Sequence, residues 1–395
     1  MTKQISKHVQ WVGKVDWELK SFHGEELSTH RGSSYNSYLV TDSKVALIDT
    51  VWRPYDREFV ARLKEVIDLQ RIDYIVMNHN EVDHSGALVE LLREIPGTPI
   101  YCTAKGEAIL RGHYHQDWNF VRVKTGDTLP LGDTTLTFVE APMLHWPDTM
   151  CCHLSGDNLL LSNDIFGQHY ATESLFDERE SLDEVLYEAE KYYANIIAPF
   201  SPMALRKVKE IQALGLPIDM ICPSHGVIWK QHPQVIVDKY LQWADAYQQD
   251  QVTIVYDTMW QSTRLMAQEI ARGIHDALPG TTVKIMNAAL DDKNDILTQM
   301  FHSRAVLVGS PTINNGYSHA IAGLLEMARG LKFKKKKAAA FGSYGWSGEA
   351  VKLLTERLQQ CGFEIVNEGV RTAWVPAQDA LAECRAWGKT FAQAL

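Results

Sequence analysis

The sequence predicts an α/β protein made of two different layered folds, and three observations support this prediction. In residues 1–248, short strands and a hairpin-like pair mix with helices, which is typical of mixed sheets. In residues 249–395, apolar strands alternate with helices, which indicates right-handed crossovers and a parallel, doubly wound sheet. The length of 395 residues also exceeds what one ordinary core holds. We therefore expect one domain over 1–248 and a second over 249–395.

The first half combines a hairpin with helices and short apolar strands. Two strand-like runs, at 37–40 and 45–48, flank a polar turn at 42–44. A helical pattern covers about 56–67, and the apolar run YIVM follows at 74–77. Further elements are expected at 136–140 and 159–162 as strands and at 182–194 as a helix.

The second half repeats one structural pattern along the chain. The buried-strand run VTIVY at 252–256 precedes the loop DTMWQST and a helical segment. The runs VKIMNA, AVLVGS and AAAFGS follow, each with a helical segment after it. About 145 residues are enough for one domain of this kind, with five strands.

Composition and charge exclude several classes of protein. The formal net charge of -10 disfavours a nucleic-acid surface or an anionic-membrane surface, since both need a positive field. No apolar run is long enough to span a bilayer, and the polar start MTKQISKHVQWVGKVDWELK lacks the apolar segment of a signal peptide. The six cysteines form no CxxC pair, which suits a reducing compartment. We therefore expect a cytoplasmic protein with no nucleic-acid or membrane partner.

The nonapeptide NHNEVDHSG at 78–86 contains four potential metal ligands directly after an apolar run. They are His79, Glu81, Asp83 and His84. Asn, Asp, Ser and Gly also favour turns, so a polar loop without a metal is the alternative interpretation.

Three further candidate ligands follow later apolar runs. His145 comes after LTFVEA, Asp164 after LLLSN, and His225 after MICPS. The ends of strands are the usual edge for sites in layered α/β folds. Turn chemistry alone does not explain imidazole and carboxylate groups at four such positions, so we predict a metal site.

The motif HxExDH, with His145, Asp164 and His225 after it, resembles the flavodiiron proteins. The resemblance covers the whole chain, both halves in order, and within that family it points to the members that reduce nitric oxide. It implies a metallo-β-lactamase-like αββα sandwich followed by a flavodoxin-like doubly wound parallel sheet. Related hydrolases of the first fold carry HxHxDH, usually with zinc, whereas this chain has Glu81 at the second ligand position. The additional carboxylate favours iron or manganese.

The resemblance also implies how the seven side chains divide between two iron ions per chain. His79, Glu81 and His145 would hold one ion, Asp83, His84 and His225 would hold the other, and Asp164 would bridge them. His23 and His169 are candidates for hydrogen bonds to these ligands, and Tyr193 for a proton or hydrogen bond to a bound substrate, but a plain structural role is the favoured interpretation for each of the three.

Three loops at strand ends in the second half are the candidate site for FMN. The hydroxyls of Thr258, Ser262 and Thr263 suit a phosphate at a helix N-terminus, although they also suit a simple helix cap. Gly345 and Gly348 let the backbone approach a flat ring closely. By resemblance to the flavodoxin domain of the same family, we expect FMN contacts from Thr258, Met259, Trp260, Gln261, Ser262, Thr263, Pro311, Thr312, Ile313, Asn314, Asn315, Ser343, Tyr344, Gly345, Trp346, Ser347 and Gly348.

The same resemblance implies an oxidoreductase that reduces nitric oxide to nitrous oxide, or dioxygen to water, with electrons relayed through FMN. The chain has no CxxC iron site, so the donor would be a separate rubredoxin or similar small carrier with its NADH-dependent reductase, or else the sequence is a truncated form of a longer chain that carries such a site. A head-to-tail homodimer, or a dimer of dimers, would bring the FMN of one subunit to the iron of the other. The run FKKKK at 333–337 would dock the donor or would be a solvated turn.

Two other activities remain open at this point. The first is a zinc hydrolase of the metallo-β-lactamase fold fused to a flavodoxin-like module. The second is an electron carrier that uses only the FMN half.

Overall fold

The computed structural model describes residues 2–395, and the chain divides into two compact units. The first unit comprises residues 1–192 and 200–241, and the second comprises residues 193–199 and 242–395. Both units mix helices with strands. Within residues 2–395, no helix is both long and apolar enough to cross a membrane.

The first unit contains a seven-stranded sheet, a five-stranded sheet and two small two-stranded sheets. Its strands are β1 Lys3–Gln4, β2 Val9–Trp11, β3 Lys14–Asp16, β4 Ser21–Phe22, β5 Leu27–Ser28, β6 Ser33–Tyr35, β7 Tyr38–Thr41, β8 Val45–Ile48, β9 Tyr74–Val76, β10 Ile100–Cys102, β11 Phe120–Arg122, β12 Thr128–Pro130, β13 Thr135–Glu140, β14 Met150–Leu154, β15 Leu159–Asn163 and β16 Met220–Pro223. The α-helices, in chain order, are α1 Asp56–Val66, α2 Val82–Ser85, α3 Leu88–Glu94, α4 Ala104–Tyr114, α5 Leu182–Tyr192, α6 Ser201–Ala213 and α7 Pro233–Ala244. Short 3-10 turns lie at Arg53–Tyr55, Leu69–Arg71 and Asp177–Arg179.

Both large sheets are mixed. The seven-stranded sheet has the order β1-β2-β7-β8-β9-β10-β11, with antiparallel pairs as far as β8 and parallel pairs from β8 to β11. The five-stranded sheet has antiparallel pairs from β12 to β15 and a parallel pair between β15 and β16. The β7–β8 pair is the hairpin that the sequence predicts, whereas β2 pairs with β7 although four strands separate them in the chain.

Strand β7 shows how the sequence places one layer on each side of a sheet. Tyr38 and Val40 belong to the core shared with the five-stranded sheet, whereas Leu39 belongs to the core shared with helices. This alternation follows from the two-residue period of a strand. Phe59 and Leu63 of α1 lie four residues apart on one helix face and pack into that second core.

The outer side of the five-stranded sheet is covered by helices as well. Leu160 of β15 and Ile221 of β16 line one apolar cavity together with Val208 of α6 and Val237 of α7. The order of layers in the first unit is therefore helix, sheet, sheet, helix.

The second unit contains one six-stranded sheet. Its strands are β17 Gln249–Tyr256, β18 Thr282–Asn287, β19 Ser303–Gly309, β20 Lys337–Tyr344, β21 Glu364–Ile365 and β22 Val370–Ala373. Its helices are α8 Ser262–Ala277, α9 Lys293–His302, α10 His319–Leu331, α11 Ala350–Gln360 and α12 Gln378–Gln393, and a π-helical turn covers Tyr193–Ile197. A 3-10 turn at Ala198–Phe200 follows that π-helical turn in the chain.

All strand pairs of this sheet are parallel. The order is β18-β17-β19-β20, and β21 and β22 both pair with the far edge of β20. Every side chain from Val252 to Tyr256 in β17 is buried, as expected for a strand covered on both faces. From β17 the chain crosses to β18 on one side and then to β19 on the other. The connections that follow β17 and β19 therefore lead to opposite sides, and a crevice opens between them at the strand ends.

The predicted fold class is confirmed in both halves of the chain. The hairpin is present, since β7 and β8 pair antiparallel with Thr41 opposite Val45. The helix predicted at 182–194 is wrong at its C-terminal end, because α5 stops at Tyr192 and the π-helical turn begins at Tyr193.

Candidate metal centre and ligand cleft

The HxExDH motif lies where the parallel strand β9 ends. His79 follows β9, Glu81 precedes the short helix α2, and Asp83 and His84 lie within that helix. The Thr50 N–H donates to the His84 carbonyl at 2.8 Å, which fixes α2 against the loop after β8. All four motif side chains are buried. The strand end and the short helix therefore hold four polar side chains inside the unit.

The three later candidates come from strand ends of the five-stranded sheet. His145 lies in the turn after β13, Asp164 directly follows β15, and His225 comes shortly after β16. Because β15 and β16 are parallel, their ends meet at one edge, where the Ser224 N–H donates to the Asn163 carbonyl at 2.9 Å. This contact brings Asp164 and His225 together.

The structure brings all seven candidates together in two adjoining groups. One group contains His79, Glu81, His145 and Asp164, the other contains Asp83, His84 and His225, and within each group the donor atoms lie within 4.8 Å of one another. Asp164 joins the groups because its two oxygens face different histidines. Its Oδ2 lies 3.6 Å from His79 Nε2 and 3.2 Å from His145 Nε2. Its Oδ1 lies 3.1 Å from His84 Nε2 and 3.5 Å from His225 Nε2.

The donor atoms of this cluster fit metal ions. The Nδ1–H of His225 donates to the Ser34 carbonyl at 2.7 Å, so its Nε2 turns a lone pair toward Asp83 Oδ2 at 3.1 Å. Both oxygens of Asp83 and the Oδ2 of Asp164 are buried without a hydrogen-bond partner. Buried polar atoms in native proteins are normally paired, and a cation satisfies facing lone pairs of this kind.

The charges of the cluster stabilise one another. Burial raises the pKa of Asp164, but the nearby His84 and His145 imidazoles hold that pKa well below its usual value. Burial lowers the pKa of His84, yet the Asp83 and Asp164 carboxylates raise it to about 9. A bound metal ion competes with protons for these nitrogen lone pairs.

Asp148 positions His79 from the side opposite the cluster. Both Asp148 carboxylate oxygens lie 3.3 Å from His79 Nδ1, and Oδ2 accepts the backbone and side-chain N–H groups of Asn80 at 2.8 Å. Burial raises the pKa of Asp148, but the hydrogen bond from His79 holds the pKa below its usual value. A proton on Nδ1 leaves Nε2 free for a metal, as in other carboxylate–histidine–metal arrangements. Sequence analysis missed Asp148, although it closes the segment HWPD that begins with His145.

Two predicted neighbours of the cluster lie beside it. His23 Nε2 is 2.7 Å from Glu81 Oε1. The His169 ring lies 5.2 Å from the His225 ring, and its Nδ1 is 2.9 Å from the hydroxyl of Ser33. Burial, and then the nearby His225, hold the pKa of His169 well below its usual value, so His169 is neutral.

The third candidate, Tyr193, has the plain structural role that the sequence favours for it. Tyr193 belongs to the second unit and packs on Trp243 and Phe301 at 5.5 and 5.8 Å between ring centroids. Tyr192 lies beside the cluster instead, 5.2 Å from the His169 ring. Burial raises the pKa of Tyr192 well above its usual value, so the hydroxyl keeps its proton. The change from α-helix to π-helical turn at this point alters which side chain faces inward.

The second unit carries an open cleft of about 280 Å³ at the ends of its parallel strands. Its lining comes from the loops after β17, β19, β20 and β22, namely Met259, Trp260, Ser262, Pro311, Thr312, Ser343, Tyr344, Gly345, Trp346, Trp374 and Val375. Other predicted contact residues lie in the same loops but do not line the cleft, namely Thr258, Gln261, Thr263, Ile313, Asn314, Asn315, Ser347 and Gly348.

Trp374 and Val375 were missed by sequence analysis. They follow the short strand β22, whose pairing with β20 brings its end to the same edge as the three predicted loops. The Trp374 N–H donates to the Tyr344 carbonyl at 2.6 Å, and its ring would meet a Cβ on Gly345 at 3.1 Å. Gly345 is therefore needed for this close packing.

One end of the cleft fits a phosphate. Helix α8 begins at Ser262 and has 16 residues, so the N–H groups of its first turn point out of the helix. The Thr263 hydroxyl lies 2.9 Å from the Ser343 hydroxyl, which ties the first loop to the third. The Thr258 hydroxyl is buried without a hydrogen-bond partner, so a phosphate oxygen bound there would accept its hydrogen bond. Exposed indoles of Trp260 and Trp346 form the rim and suit a flat aromatic ring.

Fold and sites together define a flavin-dependent oxidoreductase with a two-metal centre. Comparison with protein families agrees with this class: residues 34–226 match the ODP family beta lactamase, and residues 254–388 match the flavodoxin family.

Known relatives narrow the class. The chain is 52% identical over 395 residues to the anaerobic nitric oxide reductase flavorubredoxin of Escherichia coli O1:K1 / APEC, covering 100% of this chain and 82% of the relative. It is 49% identical to the protein of the same description from Aeromonas hydrophila, covering 100% of this chain and 80% of that protein.

Solved structures agree. Rubredoxin oxygen:oxidoreductase from Desulfovibrio gigas has a TM-score of 0.96 and 37% identity, covering 100% of this chain and 98% of that one. The flavodiiron protein from Giardia intestinalis has a TM-score of 0.95 and 32% identity, covering 100% and 96%. The chain belongs to the flavodiiron protein family, among relatives described as flavorubredoxin. Membership implies FMN and a diiron centre as cofactors.

Proposed function

We propose that this chain reduces nitric oxide to nitrous oxide, with dioxygen as a second substrate that it reduces to water. The observation that carries the proposal is the pair of ligand groups joined by Asp164. A shared carboxylate holds two metal ions next to each other, where two small diatomic molecules can react together. The relatives of highest identity reported above are nitric oxide reductases, which favours nitric oxide as the main substrate.

We also propose the metal assignment and the metal itself. His79, Glu81 and His145 would hold one iron ion, Asp83, His84 and His225 a second one, and Asp164 both, giving two iron ions per chain. The set of four imidazoles and three carboxylates supports iron over zinc, because hard oxygen donors stabilise the higher oxidation states of a redox metal.

FMN would lie in the cleft of the second unit. Its phosphate would contact Thr258, Ser262, Thr263 and the first turn of α8, and its ring would contact the loops with Pro311–Asn315 and Ser343–Gly348. The buried, unpaired hydroxyl of Thr258 supports the phosphate position. The aromatic rim and the closely approached Gly345 support the ring position.

When bound, iron would supply one-electron chemistry and open coordination positions, and FMN would supply electrons in single steps or in pairs. The side chains around the metal would control protons and orientation. His23 holds Glu81 at 2.7 Å, and Asp148 fixes the tautomer of His79. Tyr192 keeps its proton because burial and the carboxylate of Asp164 raise its pKa. It is therefore a hydrogen-bond donor beside the cluster.

The electron donor would be a rubredoxin or a similar small carrier, with an NADH-dependent reductase behind it, in the cytoplasm. A head-to-tail homodimer, or a dimer of dimers, would supply the electron path between FMN and iron. The exposed indoles at the rim of the cleft support an interface there. The functional boundary would lie at residue 248, between a diiron domain at 1–248 and an FMN domain at 249–395.

Metal and flavin analysis with gas consumption tests the proposed function. Protein purified without oxygen should contain iron and FMN. With NADH, a rubredoxin and its reductase, it should consume nitric oxide and release nitrous oxide, and a parallel assay measures dioxygen. The His79→Asn variant should lose iron and both activities, whereas His275→Gln, an exposed histidine of α8, should match the unmodified protein.

Each alternative activity has its own result. Zinc in place of iron, with no gas consumption, would indicate the fused zinc hydrolase. Unchanged electron transfer through FMN in His79→Asn, with no gas reduction in any variant, would indicate the simple electron carrier.

A further inference from the structure

A chain of aromatic side chains runs from the metal cluster to the surface of the first unit. The ring of Tyr35 lies 6.0 Å from the ring of His225, a predicted metal ligand. Tyr55 lies 5.8 Å from Tyr35, and Trp52 lies 6.1 Å from Tyr35 and 6.3 Å from Tyr55. Tyr35 is fully buried, whereas Trp52 and Tyr55 reach solvent. The rings are in sequential contact from a ligand to water.

The ring of Tyr35 lies between His225 and Tyr55 and carries a buried hydroxyl. That hydroxyl has no hydrogen-bond partner, which costs about 1–3 kcal/mol relative to a paired group. An electron that passes between the surface and the ligand His225 therefore crosses the ring of Tyr35, which contacts both His225 and Tyr55.

Asp16 gives the chain a proton acceptor. The Tyr55 hydroxyl donates to Asp16 Oδ2 at 2.7 Å, and Asp16 Oδ1 accepts the N–H groups of Glu18 and Leu19 at 3.2 Å. An oxidised tyrosine is a strong acid, so its oxidation proceeds readily only where a base takes the proton in place. The other charges near Tyr55 are Glu18, Glu58 and Lys14. The Lys14 ammonium lies 4.7 Å from the ring and pairs with Glu58 at 2.9 Å.

We propose that Tyr35 and Tyr55, with Asp16 as proton acceptor, pass electrons from the protein surface to the metal cluster when peroxide oxidises it. We call this route the redox exit, because the oxidising equivalent leaves the cluster along it. The inference rests on the proposed function, because it needs a redox metal at the cluster. Its role is protection: oxidation ends on a surface tyrosine that can be repaired instead of on a metal ligand.

The electron balance is complete with peroxide as the oxidant. Tyr55 loses one electron, which passes through Tyr35 to the cluster, and its phenolic proton moves to Asp16 Oδ2 and then to water. Two such events reduce one hydrogen peroxide, with two protons from solvent, to two water molecules. A thiol in solution then returns one electron and one proton to each tyrosyl radical.

A second aromatic contact in the same unit provides a matched control. Tyr74 and Tyr101 lie 5.5 Å apart, but Tyr101 continues only to Phe138, at 6.1 Å. That pair belongs to the core between the sheets and has no metal ligand in ring contact. The Tyr101→Phe substitution therefore removes a tyrosine without breaking the proposed exit.

Electron paramagnetic resonance tests the proposal on the iron-loaded full chain. Protein whose iron and flavin are already oxidised is mixed with hydrogen peroxide, so that the electrons must come from side chains. The sample is then frozen and examined for a tyrosyl radical, and peptide mapping locates oxidised side chains. The unmodified protein and Tyr101→Phe should give the radical, with oxidation mapped to Tyr55. Tyr55→Phe should lose both, and Asp16→Asn should weaken both because the proton acceptor is gone.

Two results would overturn the proposal. One is a tyrosyl signal of unchanged size in Tyr55→Phe. The other is the lack of any tyrosyl signal in the unmodified protein, although the hydrogen peroxide has been consumed. Nitric oxide consumption is measured on the same samples, so loss of the exit and loss of the proposed function are distinguishable.

Discussion

The metal cluster and the flavin cleft both lie at the ends of parallel strands, but they are built from different materials. The cluster consists of charged side chains that are buried, and Asp148 and Ser34 fix the imidazoles His79 and His225 from behind. The cleft consists largely of backbone and exposed aromatic rings from four loops. The cluster therefore depends on the identity of each side chain, whereas the cleft depends mostly on loop conformation. Single substitutions should consequently affect the two regions to different degrees.

The largest effect should come from Asp164→Asn, which removes a charge shared by both ligand groups. We expect the affinity for iron to fall by at least about 100-fold, more than the loss typical of an outer hydrogen-bond partner. FMN content should stay unchanged. Metal analysis and flavin absorbance on the same sample measure both quantities. Asp219→Asn, which changes an exposed carboxylate, is the control, and full iron content in Asp164→Asn would contradict the shared role.

A smaller loss should follow from Asp148→Asn. The amide weakens the acceptor for His79 Nδ1, so the imidazole loses its preferred orientation, and we expect a decrease in iron affinity of about 10–100-fold. Metal titration followed by Mössbauer spectroscopy should show that the ion on the His79 side is lost first. Equal loss of both ions would mean that Asp148 supports the fold in general.

In the cleft, Thr258→Val should weaken FMN binding without any change in iron content. The hydroxyl is buried and unpaired, and a hydrogen bond to a charged phosphate contributes about 1.5–3 kcal/mol. We therefore expect the FMN dissociation constant to increase by at least about tenfold. Flavin fluorescence titration measures it. Thr390→Val on the exposed face of α12 is the control, and unchanged affinity in Thr258→Val would place the phosphate elsewhere.

The smallest effect should come from Asp42, which carries a depressed pKa outside both regions. Weak burial raises its pKa, but hydrogen bonds from the Thr134 hydroxyl and N–H, both at 2.8 Å, lower the pKa to about 2. A carboxyl with a lowered folded-state pKa stabilises the fold above pH 4, roughly, and this contribution is lost as pH falls toward 2. Because Asp42 is partly open to solvent, which screens its charge, Asp42→Asn should cost less than about 1 kcal/mol.

Denaturation of the first unit at several pH values measures that cost. The difference between Asp42→Asn and the unmodified protein should be present at pH 7 and should vanish near pH 2. A difference that persists at pH 2 would mean that packing rather than charge is responsible.

Sequence predicted the fold class, and the seven ligand candidates that it named come together in the structure, because both depend on residue type and order. Imidazoles and carboxylates at strand ends, such as His79 and Asp164, indicate a metal site by their residue type alone. Asp148 and Trp374 were not found, because their roles arise from tertiary contacts that no local pattern records. Tyr192 was not found either, since a pattern of apolar residues does not reveal where an α-helix changes into a π-helical turn.

The lysine run at 333–337 shows the same limit. The sequence of this run predicts a solvated positive surface, yet Phe333 and Lys336 are buried. The Lys336 ammonium donates to the carbonyls of Tyr247 and Phe301, each at 2.6 Å. Lys334 and Lys335 are the exposed cations of that run. The positive surface is therefore smaller than the sequence suggests, and donor docking has less support there.

The three indoles around the cleft give the protein an optical consequence. Trp260, Trp346 and Trp374 are 82%, 87% and 64% exposed, whereas Trp229 and Trp243 are fully enclosed. The emission of the exposed indoles should be red-shifted and easily quenched by a ring stacked upon them. Cofactor occupancy of a purified sample is then readable from its intrinsic fluorescence, with no added dye.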